Sequence, residues 1–84
     1  MESKLLKYPL STEKSLRIME AQNQLVFIVD LKATKIQIKS EFEKMFKAKV
    51  KAVNTVITKG KKKAYITISK ETPALDIATQ LGMM

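Results

Sequence analysis

The sequence predicts a small α+β domain: a strand–helix–strand unit completed by a β-hairpin, with short helices flanking the sheet. Three observations predict it. "QLVFIVDL" at 24–31 is a nearly continuous apolar run rich in β-branched residues, the pattern of a central strand covered on both faces. Ile38, Phe42, Met45 and Phe46 fall at i, i+4, i+7 and i+8, one stripe of a helix. "VNTVITKGKKKAYITI" at 53–68 sets one glycine between two strand-like runs, which reads as a hairpin. If its second strand pairs between the other two, the sheet is split, with the helix on one face. The residues alone leave that strand order open.

The elements follow in order. Residues 4–9 read as a short edge strand ending at Pro9, because proline lacks the N–H that a central strand needs. Ser11 is the expected N-cap of a short helix, "TEKSLRIMEA", closed by "QNQ". The central strand covers 24–31. Thr34 caps a helix from Lys35 to Phe46, whose separate polar face carries Lys35, Lys39, Glu43 and Lys47. Glu43 and Lys47 stand at i,i+4, a favourable pairing.

Val50–Thr58 and Lys62–Ser69 are the hairpin strands, joined through Lys59-Gly60-Lys61 with Gly60 free to take a positive φ. Val53 and Val56 cannot both face the core of a regular strand, so a bulge near Asn54 is expected. Thr72 reads as the cap of a last helix with Pro73 at its first position and Gly82 as its stop.

Composition narrows the function. Residues 1–84 fit a single domain, and 45% hydrophobic content is that of a globular chain. There is no cysteine and no histidine, which removes disulfides, thiol catalysis, and the commonest general base and metal ligand. No apolar run approaches the ~20 residues of a membrane span, and the opening "MESKLLKYPLSTEK" is not a signal peptide, so a cytoplasmic protein without membrane insertion is expected.

Charge is informative through its distribution. Residues 44–70 hold nine lysines and no acid, while the remainder holds seven basic and eight acidic residues. The whole excess of +8 therefore lies in one segment. Clustered lysines at this pI are the footprint of a polyanion binder. The alternative is a solvated, lysine-rich surface, but a general solubility effect would not empty a third of the chain of acids. Fifteen lysines against one arginine, Arg17, favour contacts to phosphate over reading of base edges.

Enzymatic readings are weak. With glycine only at 60 and 82, no phosphate-cradling glycine loop can be built, and "TKGKKK" leads into a strand rather than a helix. Glu41 and Glu43 diverge on their helix, and Glu71 and Asp76 sit near a helix start, where acids offset the macrodipole. No metal or cofactor is expected. An acyl phosphatase-like enzyme would want a reactive arginine beside a phosphate loop, and Arg17 stands alone on a helix. Tyr65, the one aromatic residue of the hairpin strands, reads as a half-buried strand residue rather than a stacking platform.

"STEKS" before a short helix, "ATKIQIKSEFEKMF" after a strand, and "VNTVITKGKKKAYITI" together resemble the universal large-subunit ribosomal protein twenty-three family over about Tyr8 to Ser69. The ordered set is specific where any one motif is weak. The resemblance implies an α+β, three-layer α/β/α fold whose small antiparallel sheet, in strand order 1-2-4-3, is built on a split β-α-β unit with a C-terminal β-hairpin. It also implies a structural role in the large subunit, in the cytoplasmic ribosome. The implied place is near the polypeptide exit tunnel, where factors meet the emerging chain. The partners it implies are large-subunit rRNA, neighbouring large-subunit proteins, and the signal recognition particle or ribosome-associated chaperones.

Carried over by position, Lys14, Lys35, Lys39, Asn54, Thr55, Lys59, Gly60, Lys61, Lys62 and Lys63 form the implied rRNA-binding set, and Glu13 with Arg17 the implied factor-docking pair. Glu13 also reads simply as an acid in a helix first turn. Bacterial members carry a long loop between the hairpin strands; its absence here, with the ending "SKETPALDIATQLG", resembles the archaeal branch. A competing reading is a protein-interaction adaptor acting off the ribosome through Glu13, Glu20 and Glu71.

Overall fold

The computed structural model describes residues 5–82. Its elements are β1 (Leu6–Pro9), α1 (Glu13–Gln22), β2 (Gln24–Val29), α2 (Lys35–Phe46), β3 (Val50–Thr58), β4 (Lys61–Ile68) and α3 (Ala74–Gln80). Lys4, the expected first residue of the edge strand, lies outside the described residues. All strand pairs are antiparallel, and the sheet order is β1-β2-β4-β3. β4 thus inserts between β2 and β3, which is the split arrangement with the strand order that the family resemblance implied.

β2 is buried along its whole length. Leu25, Phe27 and Val29 share one face with Ala64, Ile66 and Ile68 of β4, and α2 lays Ile38 and Phe42 over them. Phe27 and Phe42 meet edge-on, with ring centroids 5.8 Å apart at 82°, a geometry worth about 0.5–1.5 kcal/mol beyond area burial. Val26 and Ile28 point to the opposite face. There α1 approaches, and its Ser15 and Ile18 line a hollow with Val26, Lys63 and Tyr65. Met19 of α1 turns toward Ala74 and Leu75 of α3. Helices therefore stand on both sides of the sheet, in three layers.

Several boundaries shift for identifiable reasons. Thr12, not Ser11, caps α1: its Oγ1 accepts the Ser15 N–H at 3.2 Å. β2 stops at Val29 because Asp30 folds into a turn, its carboxylate accepting the Lys32 N–H at 2.8 Å. Thr34 caps α2 as expected, within a full capping box: Gln37 N–H donates to Thr34 Oγ1, and Thr34 N–H donates to Gln37 Oε1. At the other end Glu43 serves β3 by accepting the Val50 N–H at 3.0 Å.

The expected bulge near Asn54 is not there. The register breaks at Lys51 instead, and pairing with β4 is regular from Ala52 to Thr58. Val53 is consequently half-buried on the α2 side and Val56 is 47% exposed on the other. The conflict between the two valines vanishes because β3 is an edge strand whose second face is not fully covered.

The last helix begins at Ala74, with Pro73 in the N-cap position and no side-chain cap from its own segment. Thr72 does not cap it. Asn23 does so from the end of α1: its Oδ1 accepts the Ala74 N–H, while its Nδ2 lies 3.0–3.2 Å from the carbonyls of Ile68, Ser69 and Thr72. Gly82, at φ +76°, ends the helix as predicted.

Candidate nucleic-acid interface

The hairpin geometry follows from two residues. Lys59 and Gly60 both have positive φ, 52° and 77°, the requirement of a two-residue type I′ turn. Thr58 therefore pairs directly with Lys61, which belongs to β4 and not to the connection. With the turn this short, the alternation of side chains sets which lysines share a face.

Lys61, Lys63 and Tyr65 emerge on the α1 side of the sheet, together with Asn54, Val56 and Thr58 of β3. Lys63 and Tyr65 line the hollow reached from α1 by Lys14, Thr12 and Ser15. Lys61 places its ammonium 3.5 Å from the Tyr8 hydroxyl. Lys59 is exposed at the tip. This open face carries Lys14, Asn54, Lys61 and Lys63, with Lys59 and Gly60 at its end. Two tyrosines border it, of which Tyr65 is half-buried and Tyr8 is 42% exposed. Phe27 is fully buried and takes no part.

The remaining predicted residues lie elsewhere. Thr55 alternates with Asn54 and so turns to the α2 side. Lys62 turns there too, and its ammonium donates to the Ala33 carbonyl at 2.6 Å. The four-lysine run is thereby split: three charges are displayed, and one is tied to the loop before α2. Lys35 and Lys39 are exposed on α2, in the layer opposite the open face. Glu13 and Arg17 are exposed one turn apart on α1. No local pattern marks Tyr8, which the fold brings to Lys61 from 53 residues away.

The bond from Lys62 has a measurable consequence. Lys62→Met keeps the aliphatic stem and leaves the buried Ala33 carbonyl without this donor. It is expected to cost about 1–2 kcal/mol in urea unfolding. Lys61→Met, at an exposed position, should stay within about 0.5 kcal/mol of wild type in the same measurement.

Among the described residues no helix is long and apolar enough to cross a membrane, and no cluster of acidic side chains could hold a metal ion. The family model of ribosomal protein L23 matches residues 4–78. The chain belongs to the ribosomal protein L23 family. Large ribosomal subunit protein uL23 of Methanococcus aeolicus is 44% identical over 80 residues, covering 94% of this chain and 93% of that protein. The uL23 protein of Pyrobaculum aerophilum is 44% identical over 81 residues, 95% of this chain and all of that protein. The Tetrahymena thermophila uL23 protein is also 44% identical over 81 residues, which make up 54% of its length. The L23 family is one of ribosomal structural proteins, not enzymes. Near-complete coverage of the two archaeal relatives accords with a short, archaeal-type form.

Proposed function

We propose that this chain is a structural constituent of the large ribosomal subunit that grips large-subunit rRNA with the open sheet face and the hairpin tip. The relatives' names support the ribosomal role. The observation that carries the rRNA reading is the convergence of Lys14, Lys61 and Lys63, from two elements far apart in sequence, on one face beside Asn54 and Tyr65. Lysines on a sheet, without a recognition helix, suit phosphate contacts to a folded RNA read by its shape. Lys35, Lys39, Lys62 and Thr55 are assigned a second contact, on the α2 side of the sheet.

Its place is near the polypeptide exit tunnel, beside neighbouring large-subunit proteins. Exposed Glu13 and Arg17 on α1 contribute there to the docking surface for nascent-chain factors, the signal recognition particle or ribosome-associated chaperones. The two-residue turn leaves no loop to reach into the tunnel, so the hairpin acts as a clamp on RNA.

A salt titration of binding to a large-subunit rRNA fragment tests the choice of face. Lys14→Ala with Lys63→Ala should reduce the log–log slope by about 1.4–1.8. Lys35→Ala with Lys39→Ala should reduce it by less. Equal slopes in wild type and the first double variant, or the reverse ranking, would overturn the assignment.

A further inference from the structure

The outer edge of β3 remains unused by the rRNA reading. We propose that it is a strand-addition site for an extended, acidic polypeptide segment with alternating apolar residues.

The ladder shows which backbone groups are available. Ile68 N–H donates to the Asn23 carbonyl at 3.0 Å, so Ile68 turns its peptide groups toward β2. In an antiparallel ladder the direction alternates residue by residue. Tyr65, Lys63 and Lys61 therefore turn toward β3, and their partners Asn54, Val56 and Thr58 turn back toward β4. The two-residue turn agrees, since it is closed by the Thr58–Lys61 pair. Val53, Thr55 and Ile57 consequently aim their N–H and C=O groups outward. At the far end the Val50 N–H already donates to Glu43, so the available edge runs from Val53 to Thr58.

That edge combines backbone donors and acceptors with exposed apolar surface: Ile57 is 65% exposed and Val56 47%, one on each face. A long edge with no proline or inward charge invites another strand. Its surroundings select the occupant. Lys51 and Lys59 bracket it, Lys61 and Lys63 flank it on one face and Lys62 on the other, and no acid occurs from 44 to 70. A second copy would set two such edges against each other, and like charges oppose that. RNA offers no peptide ladder and no apolar side chains for Val56 and Ile57. An acidic strand satisfies the ladder, the apolar surface and the charge together.

The test uses the full 84-residue chain, labelled with 15N, and a peptide of about seven residues alternating valine and glutamate. Saturating peptide should slow amide exchange at Val53, Thr55 and Ile57 by about tenfold or more, while Asn54 and Val56, already bonded to β4, change little. Thr55→Pro removes one outward donor without removing a β4 bond and should abolish the effect. If that variant does not fold, Ile57→Glu should weaken peptide binding about tenfold through like-charge repulsion at the edge. The proposal fails if those three amides are unaffected, or if a valine–lysine peptide protects them equally. It also fails if raising the protein concentration alone, or adding an rRNA fragment alone, produces the same protection.

Discussion

Changing Lys59, Lys61 and Lys63 together to Ala should lower the log–log salt slope of rRNA-fragment binding by about 2–3, at ~0.7–0.9 for each phosphate no longer neutralised. Near 0.1 M monovalent salt this corresponds to a loss of affinity of roughly one hundred- to several hundredfold, shrinking as salt approaches about 1 M. The fold should not be the cause. Lys59 and Lys61 are exposed, Lys63 is half-exposed at the rim of a hollow, and the one lysine of the run bonded to a buried residue's carbonyl, Lys62, is left in place. Removing three like charges from one hairpin relieves repulsion, so stability should hold or rise by a few tenths of a kcal/mol. Parallel salt lines for wild type and variant would mean that the hairpin does not touch phosphate.

The second large effect lies away from the lysines. Asn23→Ala is expected to destabilise the domain by about 2–4 kcal/mol, since several buried or half-buried polar groups lose their partner at once. Asn23 ends α1 in the left-handed region, φ 53°, where asparagine is tolerated better than alanine. Its side chain serves three carbonyls and the first N–H of α3, and its backbone carbonyl accepts the Ile68 N–H. One residue thus joins α1, the end of β4 and the start of α3.

Asn23→Gly relieves the backbone but restores none of the side-chain bonds, so it should lie between wild type and Ala. Asn23→Asp should be the worst of the three, because it sets a carboxylate oxygen against the three carbonyls. For a domain of this size the alanine variant should melt roughly 10–25 °C lower. Thermal and urea melts would check the ranking, and three variants within about 0.5 kcal/mol of wild type would remove Asn23 from this role.

The legible parts of the chain are those where a local pattern matches a local geometry. The period of Ile38 and Phe42 and the cap at Thr34 place α2, and Gly60 announces the hairpin. The boundaries that moved were decided by partners distant in sequence. Thr72 looked like a helix cap until Asn23, about fifty residues earlier in the chain, took that task. Val53 and Val56 demand a bulge at Asn54 only if both are buried, and Val56 is not. The chain bulges at Lys51 instead and leaves Val56 exposed at the sheet edge.

The ordered motifs were enough on their own to indicate the family, and charge segregation with the absence of cysteine and histidine to raise the expectation of a polyanion partner, because composition and spacing survive without coordinates. How the lysines are divided needed the tertiary structure. Lys61, Lys62 and Lys63 are equivalent in the sequence, but a strand sends neighbours to opposite faces. Only the packing of α2 against one face and α1 against part of the other decides that Lys62 bonds to Ala33, while Lys63 stands beside Lys14 and Lys61 beside Tyr8.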